Sequence, residues 1–357
     1  MASLDLSAAF DVVNVNLLIK RLKIVGLPAD IIDLIKAWLS IRHCYVIVND
    51  DCSNFYTSTM GTVQGPILGP FLYAIYVSPI FYLKALTNFA DDNFVIRWNV
   101  NLQALIVELE SDLGLIIAWL RDSGLKVNEK KTEICLFHRL DVQRVSINVG
   151  ANRIVSSNTM NVLGVCFDSK MQWSNQVSNS IKKAKSALHT INLIKKYFSS
   201  KELLTLITSN FYSILFYNFK IWHLPSLNPY LKNQIKSASA NALKMSTPSY
   251  HRFMSFNLLH QLNNRALPEQ MMVYKHALML FKIYQFHTPT LEWIELQHSQ
   301  VLTSRQTHFE VCSPSLHTVG KNILTHRLSV LNKKIELNWL NLSFNSFKVR
   351  CKESFLS

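Results

Sequence analysis

Hydrophobic and polar positions near the start of the chain alternate with the two-residue period of a strand. In S-L-D-L-S, Leu4 and Leu6 share one face and Asp5 lies on the other, as in a half-buried strand. Residues 16–23 and 28–40 then have helical spacing. The apolar positions of the second of these helices are Ile31, Ile32, Leu34, Ile35, Trp38 and Leu39. The pattern therefore predicts a strand followed by two helices.

A predicted hairpin follows, with a polar turn between its strands. Residues 44–48 and 55–60 have strand character, and the polar segment between them includes Asp50 and Asp51. Residues 61–83 predict a loop, punctuated by glycine and proline, that runs into a buried helix. This first acidic pair therefore belongs to an ordinary turn.

A second acidic pair lies in a different setting. Asp91 and Asp92 interrupt the apolar arms of a hairpin predicted over residues 86–98, which places both carboxylates at its tip. Burying an unpaired charge is costly. This pair therefore needs a partner or a ligand.

The rest of the chain changes from a mixed pattern to a helical one. A helix over residues 102–120 and short strands at 134–137 and 162–167 complete the mixed part, and helical spacing continues from about residue 173. The fold class predicted from this order is α+β. The predicted divisions are a mixed domain over 1–170, a basic helical region over 171–250 and a helical C-terminal region over 251–357.

The composition is that of a folded intracellular protein. Of the 357 residues, 49% are hydrophobic, which is ample for a packed core. The uncharged segment 66–83 contains three prolines, so a buried helix is favoured over a transmembrane one, and no membrane partner is expected. Scattered cysteines without zinc spacing and a start without a secretion signal predict a nuclear or cytoplasmic protein that is not secreted.

The charge is unevenly distributed. Residues 1–150 hold 13 Lys and Arg against 15 Asp and Glu, a net −2, whereas residues 151–357 hold 24 against 8, a net +16. A strongly basic second part favours a polyanionic partner, with nucleic acid first and an anionic membrane surface second. Solvated helix faces are the alternative explanation of the same pattern.

The acidic residues of the first part suggest a metal site. A mixed layer of strands and helices can bring Asp5 to the strand ends near Asp91 and Asp92, where like charges would raise one another's pKa unless a cation offset them. Carboxylate ligands without nearby His or Cys favour Mg²⁺. Two such ions serve phosphoryl or nucleotidyl transfer.

Five motifs occur along the chain, namely L-D-L-S-A-A-F-D (4–11), G-T-V-Q-G-P-I-L-G-P-F-L-Y (61–73), F-A-D-D (89–92), G-L-K-V-N-E-K-K-T-E (124–133) and V-L-G-V-C-F-D (162–168). In this order they resemble the reverse transcriptases of non-LTR, LINE-type retrotransposons of the jockey and CR1 sort. The resemblance implies a right-hand polymerase palm, built from an antiparallel sheet with packed helices, over 1–170. A mostly helical thumb and C-terminal region would follow.

The resemblance also implies roles for individual residues. Asp5 and Asp91 would bind both catalytic metals, with Asp92 beside them as a less direct partner. The Leu6 carbonyl would add a backbone ligand, and Lys131 would protonate the pyrophosphate, with Lys130 as a close competitor. Three further residues would contact the nucleotide: Phe10 would exclude a ribose 2′-hydroxyl, and Gln64 and Gly65 would contact the incoming nucleotide and the template.

The implied activity is RNA-directed DNA polymerisation with two Mg²⁺ ions, or Mn²⁺ in their place. Its partners would be an RNA template, a DNA primer and deoxynucleoside triphosphates. Because the sequence begins at the first metal-binding motif, the fingers that precede it in the family are expected to be missing, as from an N-terminally truncated fragment. The alternative function is that of an inactive remnant that only binds nucleic acid.

Overall fold

The computed structural model divides the chain into two compact units, Met1–Met171 and Gln172–Ser357. It describes residues 1–40, 42–63, 65–83, 86–138, 144–150, 152–223, 227–248, 250, 254–263, 265–286, 296–297, 310–311 and 342–355. The units are described separately below.

The first unit mixes helices with short antiparallel strands. Its first elements are β1 (Ala2–Leu4), α1 (Val15–Val25), α2 (Ala29–Leu39), β2 (Arg42–Cys44), β3 (Ile47–Val48), β4 (Asp51–Cys52), β5 (Tyr56–Ser58) and α3 (Leu68–Val77). A 3₁₀ turn (Ser78–Tyr82), β6 (Leu86–Phe89), β7 (Asp92–Val95), α4 (Leu102–Asp122) and β8 (Glu133–Ile134) follow. Four of the strands form a central antiparallel sheet in the order β6-β7-β1-β8.

The predicted strand and helices at the start are confirmed, with one error in their faces. Ala2 and Leu4 of β1 are fully buried and join one hydrophobic cluster with the buried residues of α1, α2, α3 and α4. Asn14 caps α1 by accepting a hydrogen bond from the Leu17 amide at 3.0 Å, which satisfies a free donor of the first turn. In α2, however, Ile31 and Leu34 are exposed. Helical spacing identified the helix but overestimated the width of its buried face.

The ordinary turn predicted for the first acidic pair is confirmed. β3 and β4 pair so that Val48 lies opposite Asp51, and Asn49 and Asp50 form the connection between them. Both connecting residues have positive φ angles, +48° and +72°, as two-residue hairpin turns require. Asp50 and Asp51 are exposed to solvent.

The single strand predicted over 162–167 is wrong. The structure instead has a hairpin of β11 (Thr159–Val162) and β12 (Val165–Asp168), after an unpredicted hairpin of β9 (Ser146–Val149) and β10 (Asn152–Val155). Leu163 and Gly164 turn between β11 and β12 with φ angles of +48° and +77°. A leucine rarely adopts this conformation. The sequence pattern therefore predicted a continuous strand where the chain turns.

The described part of the second unit is mostly helical, and most of the predicted helical region between residues 287 and 341 lies outside the described residues. Its elements are α5 (Ser174–Ile194), a 3₁₀ turn (Lys195–Tyr197), α6 (Ser200–Leu206), a π-helical segment (Ile207–Tyr212), α7 (Ser213–Leu215), α8 (Phe219–Trp222), α9 (Pro229–Ser246), α10 (Phe256–Leu262), α11 (Pro268–Phe286), β13 (Leu296–Gln297), β14 (Glu310–Val311) and α12 (Phe344–Phe355). Among the helices in the described ranges, none is both long enough and apolar enough to cross a membrane.

Candidate active site

The register of the central sheet brings the acidic residues of two motifs to one end. β1 and β7 are antiparallel, with Leu4 opposite Asn93. Asp5 follows Leu4 and Asp92 precedes Asn93, so both carboxylates lie next to this last pair, and the charge of Asp5 acts on Asp92. Residues more than eighty positions apart in the sequence therefore become neighbours at the end of the sheet.

The hairpin that carries the acidic pair turns on Ala90 and Asp91. Phe89 pairs with Asp92, so only Asp91 lies in the turn, and Asp92 and Asn93 belong to β7. The prediction that both carboxylates lie at the tip is therefore correct for Asp91 and wrong for Asp92. Ala90 has a φ of +56°, a strained conformation for a residue with a side chain.

Two asparagine side chains hold this turn. The Asn93 amide group donates to the Asp91 carbonyl at 2.8 Å, and that of Asn88 donates to the Ala90 carbonyl and to Asn93 Oδ1, both at 2.9 Å. Asn93 is only 2% exposed. Since these bonds fix the backbone on both sides of Asp91, they offset the strain at Ala90 and determine where the Asp91 carboxylate can lie.

A second backbone pairing positions Asp5 and Leu6. The Asn128 amide donates to the Asp5 carbonyl at 2.7 Å and the Ser7 amide donates to the Lys126 carbonyl at 2.9 Å. Leu6 and Val127 are therefore a non-hydrogen-bonded pair. The amide and carbonyl groups of each residue point away from the other residue. The Leu6 carbonyl is directed away from Val127, toward the side of β1 on which β7 lies.

Lys131 follows directly from this pairing. Its amide donates to the Asn128 carbonyl at 3.1 Å, which closes a turn immediately after the contact with Asp5. The Lys131 ammonium lies 3.7 Å from Oδ2 of Asp5, with 69% of the lysine side chain and 35% of the aspartate side chain exposed. The sequence had proposed both residues for one site, and the structure brings them together.

The electrostatics of this end of the sheet suit a cation. Burial, with the charges of Asp91 and Asp5, raises the pKa of the Asp92 carboxyl above its ordinary value. In the described part of the chain, no three His, Cys, Asp or Glu residues form a complete metal-binding group. The donors are all oxygens, and Mg²⁺ binds through one or two carboxylates while keeping ligands from water and phosphate. The residues present therefore fit a divalent ion that takes its remaining ligands from the substrate and from water.

Phe10 lies in the turn after β1 and is partly buried. Its ring contacts the ring of Tyr73 on α3, with the centroids 4.4 Å apart, and the Thr62 amide donates to its carbonyl at 2.8 Å. Thr62 and Tyr73 belong to the motif at 61–73. The structure therefore brings this motif against the first one through Phe10.

The glycine-rich loop depends on backbone conformations that side chains disfavour. Gly65 has a φ of +100°, so a residue with a side chain would be strained there. Arg42 of β2 donates to the Gly61 carbonyl at 3.0 Å and also to the Met60 carbonyl, which ties the start of this loop to the neighbouring hairpin. Gln64, the other residue predicted to contact the nucleotide, lies outside the described residues.

Two residues of this site were missed by the sequence analysis. Tyr73 was treated as part of an apolar helix, although a tyrosine in such a helix needs a partner for its hydroxyl. Asn93 was regarded only as a neighbour of the acidic pair, although a buried asparagine in a strand commonly holds backbone groups in place. In both cases a polar atom within an apolar segment was the available signal.

The first unit also matches known proteins in sequence. Residues 1–167 match the family described as "Reverse transcriptase (RNA-dependent DNA polymerase)". Residues 1–167 belong to the reverse transcriptase family. The predicted family is thereby confirmed for these residues, and their antiparallel sheet with packed helices has the predicted α+β character.

Two relatives in Drosophila melanogaster show the type of reverse transcriptase. The RNA-directed DNA polymerase from mobile element jockey is 24% identical over 189 residues, which cover 50% of this chain and 20% of the relative. The probable RNA-directed DNA polymerase from transposon BS is 22% identical over 285 residues, which cover 75% of this chain and 31% of the relative. Both relatives are polymerases of mobile elements, which supports the predicted LINE-type family, and the chain spans less than a third of the length of either relative.

Among solved structures, a telomerase from Candida albicans in complex with a fragment of telomeric RNA is similar to this reverse transcriptase. The match has a TM-score of 0.30 at 12% sequence identity and covers 82% of this chain and 50% of the telomerase chain.

Proposed function

We propose that this chain is the polymerising segment of a retrotransposon RNA-directed DNA polymerase. The observation that carries the proposal is the meeting of Asp5, the hairpin with Asp91 and Asp92, and Lys131 at one end of the sheet. Three carboxylates with a raised Asp92 pKa and an ammonium beside them match nucleotidyl transfer, in which negative phosphates meet cations.

The carboxylates would hold two Mg²⁺ ions, or Mn²⁺ in their place. Asp5 and Asp91 are the principal ligands, Asp92 supports them, and the Leu6 carbonyl adds a neutral oxygen on the same side of β1. Bound there, the ions would activate the attacking 3′-hydroxyl and offset the charge on the leaving pyrophosphate.

Lys131 would act as the proton donor to the pyrophosphate. Its ammonium is mostly exposed and only 3.7 Å from Asp5, so it can turn toward a phosphate without leaving the site. Because Asp5 holds the ammonium nearby, the lysine would reach the leaving group at the moment when negative charge develops there.

On the other side of the site, Phe10 and the loop with Gln64 and Gly65 would select the nucleotide. The Phe10 ring would lie against the sugar and leave no space for a 2′-hydroxyl. Gly65 has no side chain, so its backbone can approach the incoming nucleotide and the template closely.

The second unit would bind the template and primer. The exposed Lys182 and Lys185 of α5 border a cavity of about 460 Å³ that Gln234 of α9 also lines. Lysines at the edge of a cleft favour contacts with phosphates that do not depend on base sequence. The proposed partners are therefore an RNA template and a DNA primer, in a nuclear or cytoplasmic setting.

The experiment is extension of a DNA primer on an RNA template by the purified chain, with and without Mg²⁺. We expect Mg²⁺-dependent extension that Asp91→Ala abolishes. The control is Asp51→Ala, which changes an exposed aspartate next to the turn between β3 and β4, outside the five motifs, and should extend as the wild type does. Salt-sensitive binding of the primed template without extension would contradict the proposal and would support an inactive remnant that only binds nucleic acid.

A further inference from the structure

Phe10 is held in place through its backbone by the glycine-rich segment. The Thr62 amide donates to the Phe10 carbonyl at 2.8 Å, and the Gly61 amide donates to the Val13 carbonyl at 2.7 Å. The two bonds tie Phe10 and Val13, three residues after it, to the start of the loop. Its backbone therefore has little freedom to move relative to the start of the loop.

The ring of Phe10 is supported from beneath by Tyr73. The two rings are inclined by 32° with centroids 4.4 Å apart, a close aromatic contact. Tyr73 is 1% exposed and belongs to α3, whose other buried residues include Leu72 and Tyr76. A side chain fixed in a packed helix cannot yield easily, so the Phe10 ring cannot retreat into the core.

Tyr73 also reaches toward the acidic end of the sheet. Burial and the charge of Asp91 raise the pKa of the Tyr73 hydroxyl, so the hydroxyl stays neutral and lies within the field of that carboxylate. In the part of the chain that the structure describes, neither the Tyr73 hydroxyl nor the buried Thr62 hydroxyl has a hydrogen-bond partner. A phenylalanine at position 73 would fill the same space without burying an unpaired hydroxyl.

We propose that Tyr73 determines the sugar specificity of the polymerase by fixing the position of the Phe10 ring. The proposal rests on the proposed function, in which Phe10 excludes a 2′-hydroxyl by steric contact. Tyr73 would support the Phe10 ring during that contact. Tyr73 is a positioning residue: it acts through Phe10 and does not itself contact the sugar. If its ring were removed, Phe10 would move into the vacated space, and a ribonucleotide would fit.

The test compares incorporation of one deoxynucleotide and its ribonucleotide by three variants. Tyr73→Leu removes the ring, Tyr73→Phe keeps the ring and removes the hydroxyl, and Tyr76→Leu is the matched control. Tyr76 is an equally buried tyrosine of α3, but its ring contacts Arg21, and its hydroxyl donates to the Ser123 carbonyl and accepts from the Asn14 amide. Both leucine variants lose a buried ring from one helix, so they separate a change of specificity from a general loss of packing.

We expect Tyr73→Leu to lower the preference for deoxynucleotide, as a ratio of kcat/KM, by about tenfold or more, the range that small steric differences in a pocket produce. Tyr73→Phe should keep the wild-type preference, and Tyr76→Leu should keep it even where stability falls. Equilibrium binding of dTTP and of its ribose counterpart, measured with Mg²⁺ and a primed template whose primer lacks the 3′-hydroxyl, should show the same loss of preference.

The results separate this inference from the proposed function. An unchanged preference in Tyr73→Leu, with an active wild type, overturns the inference and leaves the function in place. Equal losses in Tyr73→Phe and Tyr73→Leu also overturn it, because the hydroxyl and not the ring would then carry the effect. A wild type that neither extends primers nor binds nucleotide overturns the function, and the inference falls with it.

Discussion

The ammonium group of Lys131 lies 3.7 Å from Oδ2 of Asp5, across a backbone pairing that joins residues 5–7 to residues 126–128. An ion pair with this much exposure adds little stability. The ion pair matters for the proposed chemistry, because it holds the lysine where the nucleotide phosphates and metal ions would bind. Under the proposed function, Asp5 would pair with the lysine in the free protein and with a metal ion during the reaction.

Lys131→Gln should slow primer extension strongly. Loss of a general acid typically lowers a rate by about 10²-fold to 10⁴-fold, so kcat should fall by at least the lower figure. The variant should still bind Mg²⁺, because it removes a cation that competes for Asp5. Single-turnover extension and metal titration by calorimetry measure the two effects separately.

The control for this prediction is Lys130→Gln, which removes the same charge one position earlier in the chain. It should keep kcat close to the wild type. A larger loss in Lys130→Gln than in Lys131→Gln would assign the proton donor to Lys130 instead.

Asp92→Asn should raise the melting temperature of the metal-free protein at neutral pH. The pKa of Asp92 is raised in the folded state, so folding favours its protonated form, and the charged form costs stability once the pH exceeds the folded-state pKa. Below the ordinary pKa of an aspartate, the side chain is protonated in both states and the gain should vanish. Thermal unfolding at several pH values measures this dependence.

Mg²⁺ should narrow the difference between Asp92→Asn and the wild type, because a divalent cation offsets the like charges. Asp51→Asn is the control, since Asp51 is exposed next to a turn, and its melting temperature should follow the wild type at every pH. If Asp92→Asn melted below the wild type at neutral pH, the folded protein would stabilise the charged form of Asp92 and the prediction would be wrong.

Gly61→Ala should destabilise the first unit. Gly61 has a φ of +84°, and a Cβ atom there would lie 2.6 Å from the Asp11 carbonyl oxygen. Strain of this kind costs about 1–3 kcal/mol, and the backbone contact adds to it. Urea unfolding measures the loss, and extension should fall with it because the same segment holds Phe10.

Gly114→Ala is the matched control for Gly61→Ala. Gly114 lies within α4, and a Cβ atom there meets nothing within 4 Å. Alanine in a helix interior is favoured over glycine by about 0.5–1 kcal/mol, so this variant should be more stable than the wild type. If both variants lost stability equally, the conformation of Gly61 would not be the cause.

Replacing Lys182 and Lys185 together with glutamine should weaken binding of primed template and reduce its salt dependence. Each lost phosphate contact lowers the slope of log K against log salt by about 0.9 on duplex DNA, so the slope should fall by about 1 to 2. The control replaces Lys348 and Lys352 of α12, the last helix, which removes equal charge away from this cleft. Fluorescence anisotropy over a range of salt concentrations distinguishes the two surfaces.

Secondary structure was predicted correctly where each residue had a conformation that is common for its type. β1 and α1 were predictable because their periods are regular and Asn14 marks a helix start. The hairpin over 159–168 was not, because its turn begins with Leu163 in a left-handed conformation. The buried width of α2 was also missed, since Ile31 and Leu34 have the same character as their buried neighbours.

For the site, the sequence identified the charged residues and missed those that hold them. Asp5, Asp91 and Asp92 stood out because a carboxylate in an apolar segment needs a ligand. Tyr73 belongs to a motif that was noticed for other residues, and Asn93 directly follows one. Their contacts join positions distant along the chain or across a turn. Neither contact could be inferred from local spacing.

By itself, the sequence determined the local elements, the uneven charge and the identity of the acidic groups, because these depend on the residue types and their order. Only the tertiary structure decided that Asp5, after β1, lies at the same end of the sheet as Asp92, that Lys131 returns to Asp5, and that Tyr73 lies beneath Phe10. The physical reason is that strand register and helix packing are set by the burial of the whole apolar surface. A short stretch of sequence contains only its own part of that surface.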